Sequence, residues 1–288
     1  MNNLSTINPA TLERFLYWIE ERHKMFLKRH RDKQPPPWSD DPVMNTVFFT
    51  NPYRENDRVT RWYRANIRQP LYGDPAVFFA TVAYRRFNSV QTGRALRNRG
   101  LHLKWDTRKA IRAIDQMVAD TGQPYLSGAY MIFCPHGRRK VEYLCECNEE
   151  VWDKRKEHIK FLDDCDTLQR AWRYLKNFRN LGPFIAYEWV TDLRHTHFLK
   201  EATDVDSWCA FGPGAFRGLH RLTIGEPNSK KVHPNALPLA TELLAIVRER
   251  LSHMPHFEMR EIEHSLCEFD KYERVRGGGK PKRWYSPR

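Results

Sequence analysis

The 288-residue sequence predicts a mainly α-helical fold with a small β-ribbon. Three observations support this prediction. Most segments place apolar residues at helical spacing, an Asn-Leu-Gly-Pro turn joins two of them, and one Gly-containing stretch is flanked by short runs of strand-forming residues. We expect one domain over 1–288, with an N-terminal helix and a proline-rich crossing in 1–40 and a basic tail in 276–288.

The first helix is predicted to begin at Asn8, which can cap it, with Pro9 in its first turn. Its apolar stripe comprises Leu12, Phe15, Leu16, Ile19 and Phe26. Three consecutive prolines at 35–37 end it and force an extended crossing. This segment lacks the apolar core of a signal peptide, and the sequence has no run of eighteen apolar residues, so we expect a soluble, cytoplasmic protein.

The remaining elements follow from the same periodicity. Helices are predicted within 57–67, 74–90, 105–122, 165–178, 183–194, 236–254 and 258–275. The exception is 129–146, where a turn at Gly137 separates two short runs and predicts the β-ribbon. The tail from 276 is rich in glycine and basic residues, so we expect it to be loose or to lie along DNA.

Charge and cysteine content limit the kinds of partner, metal and cofactor that we expect. Lys and Arg number 48 against 35 Asp and Glu, a formal charge of +13, which favours a polyanionic partner such as nucleic acid. The group Cys134, His136, Cys145 and Cys147 is spaced too closely for an ordinary zinc site, so we expect reduced thiols and no metal. No motif indicates a flavin, nicotinamide or pyridoxal cofactor.

The hairpin at 175–194 is the most informative local pattern. Asn180 and Gly182 tolerate a left-handed backbone, Leu181 can pack inward, and Pro183 suits a first helical turn. The N–H groups of such a turn can bind a phosphate. The stretch resembles the helix-hairpin-helix of DNA glycosylases, with Asn180 in place of the first glycine; an ordinary helix–helix turn is the alternative. We therefore predict DNA contacts at Asn180 and Gly182.

That resemblance implies a catalytic aspartate downstream of the hairpin, where Asp204 and Asp206 lie. The next segment contains Gly212 and Gly214 in an unusual turn before a short helix. Glycine allows close approach of the backbone to a ligand, so we predict that this turn also binds DNA or another anion. A plain loop is the alternative.

Five segments together resemble a narrower family. They are FTNPYRENDR, YRRFN, LGPFIAYEWVTDLR, GPGAFRGLHRL and REIEHSLCEFDKYERVRGGGKPKRWY, starting at residues 49, 84, 181, 212 and 260. They are similar to phage DNA-hypermodification proteins related to glycosylases. This group contains the α-glutamyl/putrescinyl thymine pyrophosphorylases, or amino acid:DNA transferases, and the helical domain of 5-hydroxymethyluracil DNA kinases. The resemblance implies a helix-hairpin-helix DNA glycosylase-like helical fold that acts on thymine derivatives in double-stranded DNA.

The sequence contains no G-x-x-x-x-G-K-[ST] motif, which favours the transferase over the kinase. The resemblance then implies that an amino acid or polyamine displaces pyrophosphate from 5-pyrophosphoryloxymethyl-deoxyuridine in DNA. A kinase, a glycosylase and a non-catalytic DNA-binding module are the alternatives. The target base must leave the stack, and Tyr53, Phe87, Tyr187 and Trp208 are candidates to stack on it, although a core role is the simpler prediction for each.

The leaving pyrophosphate requires cations, and guanidinium groups bind it best. Arg54 and Arg58 lie four apart and would share one helical face, with Asp57 supporting an arginine. A surface salt-bridge network is the alternative. The predicted substrate-binding residues are Asn51, Arg54, Asp57, Arg58, Arg86, Asn88, Tyr187, Arg217, Glu268 and Lys271, with Arg85 as a further cation.

The amine must lose a proton, so a carboxylate base is required. Asp206 is the first candidate by analogy with the glycosylase aspartate. Glu188 and Asp192, four apart on the helix after the hairpin, are the second pair. Glu263 is the third, in a stretch with His264, Glu268 and Asp270 that could equally be a salt-bridged helix face.

Overall fold

The computed structural model describes residues 7–128, 132–223, 232–281 and 284–285. Within these ranges the helices, in chain order, are α1 (Pro9–His30), α2 (Pro42–Thr46), α3 (Arg58–Tyr63), α4 (Ala76–Arg85), α5 (Val90–Arg97), α6 (Thr107–Thr121), α7 (Lys140–Asp153), α8 (Arg155–Asp163), α9 (Leu168–Leu175), α10 (Pro183–Leu193), α11 (Pro213–Thr223), α12 (Ala236–Arg250) and α13 (Met259–Arg276). A 3₁₀ turn spans Arg54–Asn56, and a π-helical turn, Arg64–Arg68, extends α3. The mainly α prediction is confirmed.

The chain forms two compact units. Unit 1 combines 1–57 with 205–288, and unit 2 comprises 58–204. In unit 1, α13 is the central helix, and α1, α2, α11 and α12 pack on it. Its core includes Ile262, Leu266 and Phe269, and Phe269 meets Phe15 of α1 edge to face at 5.3 Å between ring centroids.

In unit 2, α4 is buried from Val77 to its last residue and packs against α5, α7 and α10. Continuous burial agrees with its nearly unbroken apolar sequence, since a helix that is hydrophobic all round belongs in a core. Tyr63, Ile67, Ala80 and Tyr84 form one buried cluster where α3 meets α4.

Several helix ends lie where the sequence predicts them. The Asn8 side chain accepts a hydrogen bond from Thr11 N, and Pro9 opens α1. Asp106 caps α6 by accepting from Lys109 N. Each cap satisfies a backbone donor that the first turn of a helix cannot satisfy internally.

The β-ribbon prediction is wrong for 140–146, because this stretch lies in α7. The buried residues of α7 recur at helical spacing: Val141, Leu144, Cys145, Asn148 and Val151. This periodicity becomes clear only beyond residue 146, where the predicted ribbon ends. Residues 132–139 form no strand either, and 129–131 lie outside the described residues. The β pairing that the described ranges contain is an isolated antiparallel bridge between Val47 and Trp284.

The predicted hairpin has the expected local conformation. Asn180 adopts a left-handed backbone with φ of 57°, Leu181 is buried, and Pro183 opens α10, which packs against α9. Gly182 is the N-cap of α10 and has an ordinary extended φ of −71°. The local turn is confirmed, whereas a glycosylase-like fold stays a prediction.

The tail contacts the rest of unit 1 at its described end. Tyr285 N donates to the Thr46 carbonyl, and the Tyr285 hydroxyl accepts from Arg29 Nη1. Contact with DNA along this tail stays a prediction. Among the described helices, none combines the length and the apolar character needed to span a bilayer.

Candidate functional site

Glu263 lies in the first half of α13, where it faces the glycine-rich turn before α11. Its Oε1 accepts a hydrogen bond from Gly212 N at 3.3 Å, and its Oε2 accepts from Arg260 Nη1 at 2.5 Å. The turn therefore does hold an anionic group, and that group is the protein's own carboxylate. Arg260 neutralises the charge of Glu263. Because of this ion pair, Glu263 cannot act as a base unless the pair first breaks.

Gly214 and Gly218 lie on the face of α11 that packs on α13. A Cβ on Gly214 would collide with Cys267 Sγ, and one on Gly218 would collide with the Leu266 carbonyl oxygen. Both glycines are needed for close contact between the two helices. The predicted DNA contacts of Gly212 and Gly214 stay predictions, and helix packing accounts for the glycine at 214.

Asp270, further along α13, neutralises two arginines of α11. Its Oδ2 accepts from Arg217 Nε at 2.7 Å and its Oδ1 accepts from Arg221 Nε at 2.8 Å. The aspartate is buried, whereas the side chain of Arg217 is 36% exposed. Because only Nε of Arg217 is bound to Asp270, its outer nitrogens can also donate to an anion from solvent.

Glu268 and Lys271 form a second pair on α13. Both Glu268 oxygens accept from Lys271 Nζ, at 2.7 and 2.8 Å, and Oε2 also accepts from Thr50 N at 3.0 Å. Burial raises the pKa of Glu268, but the charges of Lys271 and His264 outweigh burial, so the pKa is lowered. This carboxylate therefore stays ionised and positions the lysine and the loop around Thr50.

The loop at 50–57 is held by Asp57, whose Oδ1 accepts from Asn51 N at 3.0 Å and from Asn51 Nδ2 at 2.8 Å. Burial raises the pKa of Asp57, against the effect of these hydrogen bonds and of the charges of Arg22 and Arg54. Arg54 is itself buried. A role of Asp57 in supporting an arginine stays a prediction.

Arg54 and Arg58 do not share one helical face. Asp57 between them has an extended backbone, with φ of −71° and ψ of 142°, so the 3₁₀ turn at Arg54 ends before α3 begins at Arg58. The sequence analysis predicted a helix within 57–67 and expected Arg54 to share its face with Arg58. The polar side chains of Asn51 and Asp57 hydrogen-bond locally instead, which competes with helix formation.

Asp206 is the most accessible of the predicted bases, since its side chain is 46% exposed. Its Oδ1 accepts from Arg248 Nη2 at 2.6 Å, and Arg248 Nε is held in turn by the Phe257 carbonyl. Within the described residues, no hydrogen bond reaches Asp206 Oδ2. Asp204, by contrast, is buried and caps α9 by accepting from Leu168 N and Gln169 N.

In unit 2, Asp192 forms a buried network with Arg85. Its oxygens accept from Arg85 Nε at 2.5 Å and Nη2 at 3.0 Å, while Arg85 Nη1 donates to Asn88 Oδ1 at 2.7 Å. Asn88 has a positive φ of 49° and also donates to Ser127 Oγ. Asp192 is 0% exposed, and both of its oxygens are bound to one guanidinium, which is typical of a structural ion pair.

The other predicted residues of unit 2 differ in exposure. Arg58, at the start of α3, and Gly182 are exposed, while Glu188 is buried in α10. Arg86 is buried and donates from Nε to Asn148 Oδ1 at 2.5 Å. The four aromatic candidates for stacking on a base are all buried, which favours their core role: Tyr53, Phe87, Tyr187 and Trp208.

The residues from 9 to 280 match the family model described as "5-hmdU DNA kinase, helical domain". The chain belongs to this family. It is also 24% identical over 289 aligned positions to the 5-hmdU DNA kinase of Bacillus phage SP10, a match that covers 89% of this chain and 44% of the phage protein. No solved structure matches the chain.

Membership confirms the kinase branch of the resemblance drawn from the sequence, while the transferase branch stays a prediction. In this helical domain, the predicted site residues fall into two sets, one in each unit. Unit 1 contains Asn51, Arg54, Asp57, Asp206, Gly212, Gly214, Arg217, Glu263, Glu268 and Lys271, and unit 2 contains Arg58, Arg86, Asn88, Asn180, Gly182, Tyr187, Glu188 and Asp192.

Sequence analysis missed Arg248, Arg221 and Asn148, the partners of Asp206, Asp270 and Arg86. The spacing of Arg217 and Arg221, four apart on α11, was a signal for a shared carboxylate. Arg248 and Asn148 carry no such local signal, because each meets its partner through tertiary packing.

Proposed function

We propose that this domain binds double-stranded DNA containing a 5-substituted uracil and exchanges the substituent, with an amine displacing pyrophosphate. The observation that carries the proposal is the family match over 9–280, since that family is named for proteins acting on 5-hmdU DNA. The formal charge of +13 supports a DNA partner. The resemblance of the five sequence segments to the group that contains the amino acid:DNA transferases supports an amine as the co-substrate.

Asp206 is our choice for the base that takes the proton from the amine. An exposed carboxylate with Arg248 on one oxygen is oriented and still has a second oxygen for the proton. Arg217 is our choice for binding the leaving group, because it is partly exposed and its guanidinium is oriented by Asp270. Both residues lie in unit 1.

A kinase activity is the second candidate, supported by the name and length of the phage relative. This chain corresponds to 44% of that protein. A helical domain of this kind could bind the modified base while a nucleotide-binding part supplies the phosphoryl group. Both candidates act on a 5-substituted uracil in DNA, and they differ in the substituent that the base carries and in the co-substrate.

The experiment offers two DNA substrates to the full chain and measures nucleoside masses after digestion. One duplex carries 5-pyrophosphoryloxymethyl-deoxyuridine and is mixed with glycine, glutamate or putrescine; the other carries 5-hydroxymethyl-deoxyuridine and is mixed with ATP. Amine incorporation supports the transferase and phosphate addition supports the kinase. An abasic site indicates a glycosylase, while salt-sensitive binding without a mass change indicates a non-catalytic module and refutes the proposal.

Variants then test the assignment of the base. Asp206→Asn is expected to lower amine incorporation about 100-fold or more while duplex affinity is retained, since general-base catalysis contributes on that scale. Glu13→Gln is the matched control, because Glu13 is another exposed carboxylate of unit 1 that pairs with an arginine, Arg250, at 2.6 Å. Equal activity of the two variants would exclude Asp206 as the base.

A further inference from the structure

Three side chains with nitrogen donors lie next to one another in the core of unit 2, and one of them is an arginine. Arg86 follows the last residue of α4, Asn148 lies on α7 and Trp189 lies on α10. Their residues are 2%, 0% and 0% exposed. Arg86 Nε donates to Asn148 Oδ1, and its guanidinium carbon lies 5.3 Å from the centroid of the Trp189 ring.

The hydrogen bonding of this cluster is incomplete. Arg86 Nη1 reaches the Arg179 carbonyl at 3.4 Å, but Arg86 Nη2, Asn148 Nδ2 and Trp189 Nε1 have no hydrogen-bond partner within the described part of the chain. The neighbouring Arg85 is the contrast, since its guanidinium is bound by both oxygens of Asp192. Of these two adjacent buried arginines, Arg85 is thus neutralised by a carboxylate, whereas Arg86 forms no ion pair with a carboxylate of the described residues.

Such an arrangement is costly if nothing else is present. Each buried donor left unsatisfied keeps its desolvation cost without the hydrogen bond that would offset it, and a buried charge without a counter-ion costs more still. Burial accordingly lowers the pKa of Arg86 to about 10, against the opposing effect of Cys147 and Glu150.

A bound water would not complete the cluster. The oxygen of one water offers two acceptor positions and no charge, whereas the cluster presents three donors and one positive charge. An anion meets both requirements. Since all three side chains are almost fully buried, the occupant must be small.

We propose that Arg86, Asn148 and Trp189 form a binding site for one small inorganic anion inside unit 2. The guanidinium supplies the charge and one donor, and the amide and the indole supply the other two. This site is independent of the activity proposed above, because it is filled in the free protein and stabilises the junction of α4, α7 and α10.

Thermal unfolding of the full chain tests the site. The protein is kept in sodium gluconate, whose anion is too large to enter the proposed site. Part of the gluconate is then replaced, at constant ionic strength, by chloride, inorganic phosphate or pyrophosphate. At least one of the three is expected to raise the unfolding temperature saturably, as ligand binding to the native state requires. The most effective anion identifies the size class of the occupant, and hydrogen exchange of α10 locates the protection.

Two variants decide the assignment. Trp189→Phe keeps an aromatic side chain but removes one donor, so the anion concentration at half-effect is expected to rise about fivefold, the equivalent of one hydrogen bond. Asn148→Asp places a carboxylate beside Arg86, so the response to anions is expected to disappear. Trp18→Phe is the matched control: it removes another fully buried indole donor without a hydrogen-bond partner among the described residues, in unit 1, and should respond like the wild type.

A wild-type protein indifferent to all three anions overturns the proposal, and a bound water is then sufficient. An unchanged response of Asn148→Asp also overturns it. If Asn148→Asp does not fold, the comparison of Trp189→Phe with Trp18→Phe decides, and equal half-effect concentrations in those two variants reject the site.

Discussion

Replacing Gly218 by alanine tests the contact between α11 and α13. The new Cβ would collide with the carbonyl oxygen of Leu266 and approach its carbonyl carbon at 2.9 Å. These are backbone atoms of the central helix of unit 1, so no side-chain rotation relieves the overlap. The two helices must move apart, which disturbs a packed core.

The net effect is the difference of two terms. Alanine is favoured over glycine inside a helix by about 0.8–1 kcal/mol. Overpacking a core costs about 1–3 kcal/mol, and a backbone collision belongs at the upper end. We therefore expect Gly218→Ala to destabilise the protein by about 2 kcal/mol, a shift in unfolding temperature of roughly 4–8 °C.

Gly214→Ala should cost less, because its Cβ meets the side chain of Cys267. Combining it with Cys267→Ala removes the sulfur and is expected to restore part of the loss, measured as a double-mutant cycle by urea unfolding. Gly128→Ala is the control, since a Cβ there meets nothing within 4 Å. A Gly218→Ala protein as stable as the wild type would refute this account of the α11–α13 contact.

Two further predictions concern unit 2. Asp192→Asn leaves the Arg85 charge buried beside a neutral amide, so urea unfolding is expected to show a loss of about 3–5 kcal/mol; a loss below about 1 kcal/mol would mean that the pair is not structural. Burial lowers the pKa of His158 to about 4, below its ordinary value of about 6.5. The stability that the neutral imidazole contributes is therefore complete above pH 6.5 and is lost as the pH falls from 6.5 towards 4. Between pH 7 and pH 4 the wild type should lose up to about 3 kcal/mol more than His158→Phe, and parallel pH profiles from urea unfolding would contradict this.

The features predicted correctly from the sequence depend on residues that are close in the chain. The Asn8 cap and the left-handed turn at Asn180 each depend on interactions within about one helical turn. The wrong β-ribbon arose because strand-forming residues near 141–145 fit both periods over a short window. The helical alternative becomes clear only when Asn148 and Val151 are included.

The candidate site was less predictable, because a charged residue's role depends on its partner. Asp192 is bound to Arg85, 107 positions away, and Asp206 to Arg248, 42 positions away. Glu188 and Asp192 look equivalent at helical spacing, but only the geometry shows that Asp192 is bidentate to an arginine. Residue type and spacing can therefore identify a carboxylate as a candidate base. Whether that carboxylate is accessible for chemistry depends on the cationic side chain that it pairs with in the fold.

The glycine-rich motif before α11 illustrates how two physical explanations compete for one pattern. Glycine permits both close approach to a ligand and close approach of two helices. Gly214 and Gly218 are four apart, a spacing that places both on one helical face, which an anion-binding turn does not require. Gly212 precedes the helix, and its N–H reaches the Glu263 carboxylate. The motif therefore combines an anion-binding position at Gly212 with a packing face at Gly214 and Gly218, and a phosphate group would have to displace Glu263 to bind there.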